Sequence, residues 1–149
     1  MRCLGVDLGS KRIGIAVSDS NGTVATPIDV VLRSRSHSID HRAILGLAQE
    51  WEAEMIVVGL PLRMDGGIGP AAEAALAEAE ELRATTALRV ETYDERLTTV
   101  TAQRSIIEMG LSADGRKRSV DKIAAAVMLQ SWLDRRRHGD TPGEPQNDL

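Results

Sequence analysis

The chain predicts an α/β fold, a mixed five-stranded sheet with helices on both faces. Three observations carry this. The first 32 residues alternate small, polar and β-branched residues in three short segments, as strands of a meander do. The run Met55–Leu60 (MIVVGL) is wholly apolar, as a central strand covered on both faces is. After residue 37, stretches of helical spacing alternate with short strand-like runs. A length of 149 residues suits one domain. Aromatics make up only 2% of the chain, with no Phe, so the core must be aliphatic.

Residues 2–8 read as the first strand and 12–19 as the second, with Ile13, Ile15 and Val17 alternating against small residues. Gly9, Ser10 and Lys11 are a hairpin-length connection. Asn21-Gly22 marks a second hairpin turn into a third strand over 23–32, whose Pro27 favours a sheet edge. Residues 38–54 have helical spacing through Ile44, Leu45, Leu47, Ala48 and Trp51. The fourth strand is Met55–Leu60, followed by a Gly-rich loop over 61–69. Pro70 opens a long Ala/Glu helix at the position proline prefers. Residues 88–93 form the fifth strand. Residues 98–109 form a helix closed by Gly110, and 111–119 a polar, basic loop. The last helix is expected over 120–137, with Ser119 as its N-cap. Residues 139–149 have almost no apolar content and read as a disordered tail to a domain spanning 1–138.

Composition narrows the function. A single cysteine, Cys3, excludes an internal disulfide framework and any cysteine-rich metal cluster. No apolar run reaches the roughly 20 residues of a membrane span, and the N-terminus does not read as a signal peptide, so a cytoplasmic location with no membrane contact is expected. The net charge of −4 is unevenly spread. Residues 70–94 carry Glu73, Glu78, Glu80, Glu81, Glu91 and Asp94 against Arg83 and Arg89. Residues 95–138 are net basic, which allows a basic face behind an acidic total. Base binding on an exposed aromatic row is poorly supported, because there is no such row. His37 and His41 are i, i+4, but no third zinc ligand is evident in the sequence.

Four carboxylates stand where charge is least expected. Asp7 lies inside the first apolar strand, where a carboxylate is costly unless it is paired, hydrogen-bonded or metal-bound. Asp94 and Glu95 follow the fifth strand directly, at the strand end where α/β sites gather, although a turn-and-cap pair would read the same way. Asp121 falls in the first turn of the expected last helix, where the dipole favours an acid. It also continues the inward stripe of Ala125, Met128 and Trp132. Carboxylates converging from separate elements repel unless cations lie between them, and oxygen-only donors suit one or two Mg²⁺ or Mn²⁺ ions.

The segments Val6-Asp7-Leu8-Gly9, 12–19 (RIGIAVSD), Val58-Gly59-Leu60-Pro61-Leu62, 94–99 (DERLTT) and 121–125 (DKIAA) together resemble the YqgF/RuvX family of Holliday-junction-resolvase-like proteins, also called pre-16S rRNA nucleases. The resemblance covers about residues 2–135. It implies an RNase H-like fold and a metal-dependent nuclease acting on structured RNA, such as the 5′ end of pre-16S rRNA, or on branched DNA such as Holliday junctions. It implies Asp7, Glu95 and Asp121 as catalytic and metal-binding acids, with Asp94 contending for the second place. The related RuvC resolvases carry an acid after the fourth strand, where Gly59-Leu60-Pro61 has none, so Glu95 is expected to substitute from the neighbouring strand end. Lys11, Arg12, Arg96, Arg116, Lys117, Arg118 and Lys122 are candidates for nucleic-acid phosphates. Two other readings remain: a non-catalytic nucleic-acid or ribosome-assembly module on this fold, and an actin-like ATP-binding domain. The second would need a duplicated domain that 149 residues cannot supply. A homodimer is compatible with any of them.

Overall fold

The computed structural model describes residues 1–98, 100–108 and 116–139, with positions 100, 107–108 and 116–119 described by backbone alone. The elements run β1 (Cys3–Leu8), β2 (Arg12–Ser18), β3 (Ala25–Leu32), α1 (His37–Glu50), β4 (Met55–Leu60), α2 (Pro70–Thr85), β5 (Arg89–Asp94), a single 3₁₀ turn (Glu95–Leu97), α3 (Val100–Glu108) and α4 (Arg116–Arg137). One five-stranded sheet has the order β3-β2-β1-β4-β5. β1 pairs antiparallel with β2 and parallel with β4, which pairs parallel with β5. The expected α/β sheet is therefore present, and Pro27 sits on the edge strand β3.

Strand alternation sends successive side chains to opposite faces, and each face has its own core. Leu4, Val6, Ile13, Ile15, Ile56 and Val58 pack with Ile44 and Ala48 of α1 and Ala79 and Leu82 of α2. Cys3, Ala16, Met55, Val57 and Tyr93 pack with Ile106 of α3 and Ala125, Met128, Leu129, Trp132 and Leu133 of α4. Asp7 shares the parity of Cys3, so it faces α4. Among the described residues no helix is long and apolar enough to cross a membrane.

Several boundaries differ from the sequence reading. The β2–β3 connection takes six residues, 19–24, because the Asp19 carboxylate accepts from the Thr23 and Val24 amides and widens the turn around Gly22. Ser36 caps α1 by accepting from the Ile39 amide, so the helix starts at His37. It ends at Glu50, because Glu52 turns left-handed and the Ala53 amide closes back on the Ala48 carbonyl. Trp51 therefore lies outside the helix and is 39% exposed rather than in the core.

The largest correction concerns α4, which starts at Arg116 rather than 120. Arg116, Lys117 and Arg118 belong to its first turn instead of a loop. Ser119 is inside the helix and is not its N-cap, and Asp121 sits in the second turn rather than the first. Gly110 and 111–115 of the expected loop, and 140–149 of the expected tail, lie outside the described residues.

α4 crosses the sheet directly over β2. A Cβ placed on Gly14 would overlap the backbone carbonyl oxygen of Asp121. Only a residue without a side chain lets the helix come this close. Because the obstacle is backbone, no rotamer change relieves it. Gly14→Ala should cost roughly 1–3 kcal/mol, a melting-temperature loss of at least about 3 °C for a domain this size, measurable by circular dichroism. An unchanged Tm would mean that α4 does not rest on β2 at this point.

Candidate active site

Asp7 projects from the C-terminal half of β1 toward α4, opposite Gly14 of β2 in the strand register. Glu95 comes from the 3₁₀ turn after β5. Asp94 caps that turn: its Oδ1 accepts from the Arg96 amide at 2.9 Å, and the two carboxylate oxygens hold the Arg96 guanidinium. The Thr98 amide and hydroxyl return to the Glu95 carbonyl. Behind the turn, the Tyr93 hydroxyl meets Ser131 Oγ at 2.9 Å, and Ser131 Oγ donates to the Leu97 carbonyl at 2.9 Å. These buried bonds pin the turn to α4 and fix the direction of Glu95.

Glu95 reaches back over the end of β4. A Cβ on Gly59 would lie 2.6 Å from Glu95 Oε1. The absence of a side chain on β4 is thus what admits the carboxylate from the neighbouring strand end. Asp94 precedes Glu95 and points to the other side of β5, where it is held by Arg96 and its carboxyl is kept below the ordinary range, first by that ion pair. The structure therefore brings Glu95, and not Asp94, to Asp7.

The Asp7 and Glu95 carboxyls lie together in the wall of one cleft, close enough for each to act on the other's ionisation. Burial pushes Glu95 up to about 7, helped by the negative charge of Asp7. Burial also raises Asp7, and the nearby Asp121 charge adds to it. Two carboxylates this close cannot both ionise without cost, and this repulsion acts in the same direction as burial. Asp121 completes the group from α4. Its Oδ2 accepts from Arg12 Nε at 2.5 Å, so Arg12 is engaged with an acid of the cluster rather than free in the hairpin turn. A cleft of about 320 Å³ opens on Asp7 and Glu95, lined also by Thr98, Gln103, Ala124 and Val127.

The remaining sequence candidates lie around this centre. Lys11 is exposed in the β1–β2 turn, and Lys122 is half-buried beside Asp121 on α4. Arg96 is exposed and committed to Asp94. Arg116, Lys117 and Arg118 stand on the helix just before Asp121. Gln103 was not foreseen, because a lone glutamine on an exposed helical face carries no sequence signal that it lines a cleft.

A 3-2-1-4-5 sheet with Asp7 on β1, Glu95 after β5 and Asp121 on the helix packed across them is an RNase H-like fold. The solved structure of Thermus thermophilus RuvC in complex with Holliday junction substrate has the same fold, with a TM-score of 0.56 at 18% identity over 94% of this chain and 97% of that one. The chain belongs to the RuvX family, whose model, described as Holliday junction resolvase, matches residues 1–135. Relatives named "Putative pre-16S rRNA nuclease" support the same placement. That of Myxococcus xanthus (strain DK1622) is 44% identical over 147 residues, covering 99% of this chain and 97% of the relative. That of Anaeromyxobacter sp. (strain Fw109-5) is 48% identical over 136 residues, covering 91% and 98%. That of Mycobacterium sp. (strain KMS) is 46% identical over 145 residues, covering 96% and 86%.

Proposed function

We propose that this protein hydrolyses phosphodiester bonds of structured RNA, the 5′ side of a 16S rRNA precursor in the first instance, using Mg²⁺ or Mn²⁺ held by Asp7, Glu95 and Asp121. The observation that carries the reading is the placement of Asp7 and Glu95 together in the wall of an open cleft, both carboxyls raised by burial, with Asp121 held on α4 by Arg12 and its charge acting on Asp7. An oxygen-only, mutually repelling donor set fits a hard dication, which would relieve the repulsion. The ion would supply an activated water and charge stabilisation at the leaving oxygen. Asp7 and Glu95 would orient it from the sheet side and Asp121 from the helix side. Arg12 holds the Asp121 carboxylate in place through its contact with Oδ2. Asp94 serves as the cap that sets the turn. The domain would span 1–138 and work in the cytoplasm.

RNA is favoured because the relatives that match most of this chain at more than 40% identity carry an rRNA nuclease name. Branched DNA is the second reading, favoured by the family description. The deciding experiment offers a 16S precursor transcript and a four-way DNA junction in parallel, with Mg²⁺, with Mn²⁺ and with chelator. Metal-dependent cleavage of the transcript but not of the junction is expected. Cleavage of the junction alone would reverse the substrate assignment, and cleavage of neither would leave a binding module.

Arg116, Lys117 and Arg118 precede Asp121 by about one helical turn, and nucleic-acid phosphates are proposed to lie along this start of α4. Replacing all three with Ala should weaken RNA binding and reduce the slope of log affinity against log salt by about 2–3. Metal titration should match the unaltered protein, since the carboxylates are untouched. An unchanged slope would move the phosphate path to Lys11 or to Arg135, Arg136 and Arg137.

A further inference from the structure

On the face of the sheet opposite the carboxylate cluster, α1 and α2 bring four metal-ligating side chains together. His37 and His41 lie one turn apart on α1, with ring centroids 5.7 Å apart. Glu78 and Glu81 lie one turn apart on α2. His41 Nε2 is 2.7 Å from Glu78 Oε2, and His37 Nδ1 is 2.7 Å from Glu81 Oε2. The donor atoms of His37, His41 and Glu78 all lie within 4.8 Å of one another. The sequence showed only the histidine pair. The third and fourth donors come from a helix some 40 residues on, by tertiary packing.

We propose that His37, His41, Glu78 and Glu81 form an interhelical site for a borderline first-row dication, Zn²⁺ in the first instance, which clamps α1 to α2. The donor set is the mixed imidazole and carboxylate kind that Zn²⁺ takes and Mg²⁺ does not favour. Tetrahedral bonds of about 2.0–2.2 Å put donors about 3.3–3.5 Å apart. The two 2.7 Å contacts therefore open slightly as their protons give way to the ion, and the wider spacing closes by side-chain rotation. His41 and Glu78 are buried, which fixes half of the site. His37 and Glu81 are half-exposed on the wall of a 490 Å³ cleft, which gives the ion an entry path.

The surroundings fit the ion as well. Arg33 grips both oxygens of Glu78 at 2.6 and 2.8 Å and so orients it from behind. Buried Asp40 Oδ2 has no hydrogen-bond partner and lies 3.6 Å from Arg33 Nη1. It is the acceptor toward which the guanidinium can lean when the ion draws on Glu78. With neutral imidazoles, Arg33, Asp40, Glu78 and Glu81 together carry −2, which one dication cancels. Arg42 on the cleft rim is the charge opposing it.

The test titrates the full-length, chelator-treated protein with Co²⁺ in excess Mg²⁺, which occupies all-oxygen sites. A tetrahedral visible absorption band is expected, saturating at one equivalent and bleached by Zn²⁺. His37→Ala removes an exposed side chain, so its metal-free Tm should not move, while its Co²⁺ affinity should fall at least about 10-fold. Zn²⁺ should raise the Tm of the unaltered protein by several degrees, and that of His37→Ala by little. The absence of the band, displacement of Co²⁺ by Mg²⁺, or equal affinity in His37→Ala would overturn the site. Mg²⁺-dependent cleavage, read separately, depends on the opposite face, so the two proposals fail independently.

Discussion

Replacing Asp7 with Asn should lower the cleavage rate by at least about 10³-fold while leaving the metal-free fold as stable as before or more so. The two halves of this expectation have one cause. Asp7 lies beside Glu95 in the cleft wall and feels the charge of Asp121, and burial raises its carboxyl above the ordinary range. In the metal-free protein an ionised Asp7 is therefore a cost of folding, and the isosteric amide removes it. With a dication in place the same oxygen would be a ligand. Loss of a direct ligand is more damaging than the roughly 10–100-fold cost of losing a group that merely supports one. The checks are single-turnover cleavage in Mg²⁺ and a thermal melt in chelator. Retained cleavage would remove Asp7 from the reaction. A Tm several degrees lower would make it a structural residue bonded to its neighbours.

Glu95→Gln should leave stability unchanged in acid and raise it at neutral pH. In the folded chain Glu95 titrates near 7, against 4.5 for the unperturbed group. The folded state therefore holds more protons than the unfolded state between about pH 4.5 and 7. A raised acid of this kind supports folding below that window, and the support is lost as pH rises through it. The carboxylates whose range is lowered, such as Asp40 and Asp94, act in the opposite sense but are common to both proteins and cancel in the difference. The two proteins should match below about pH 4.5. By pH 7–8 the Gln variant should be more stable, by about 1 kcal/mol once solvent screening of a half-buried group is allowed for. That is a Tm gap of about 2–4 °C. Saturating Mn²⁺ should reverse the order, because only the intact cluster gains binding energy. Denaturant melts across pH, with and without the ion, measure both. Parallel curves at all pH values would show that burial beside Asp7 does not raise the Glu95 carboxyl.

The sheet was legible because strands announce themselves in one dimension. Alternation at Ile13, Ile15 and Val17, and the unbroken Met55–Leu60 run, report how many faces are buried, and burial is what the layers demand. Pro27 placed β3 at the edge for a local reason, the missing amide. Asp7 was legible as a charge where a strand should be apolar, and the DERLTT and DKIAA motifs marked the other two acids by resemblance. The start of α4 was not legible. Arg116, Lys117 and Arg118 look like a loop because side-chain polarity reports solvent exposure, while the helix is made by backbone bonds that polarity does not record. The resemblance put Glu95 ahead of Asp94, but which of the two turns toward Asp7 had no signal in spacing or periodicity. Adjacent residues at a strand end face opposite ways, and both faces of β5 lie against helices. The orientation of Glu95 depends on a vacancy on another strand: Gly59 leaves the space that the Glu95 carboxylate fills. In the same way His37 and His41 were visible as a pair, but Glu78 and Glu81 became their neighbours only when α2 packed beside α1. Periodicity fixes which side of an element is buried. Which buried group meets which is settled by packing between distant segments, where contacts have no sequence spacing to betray them.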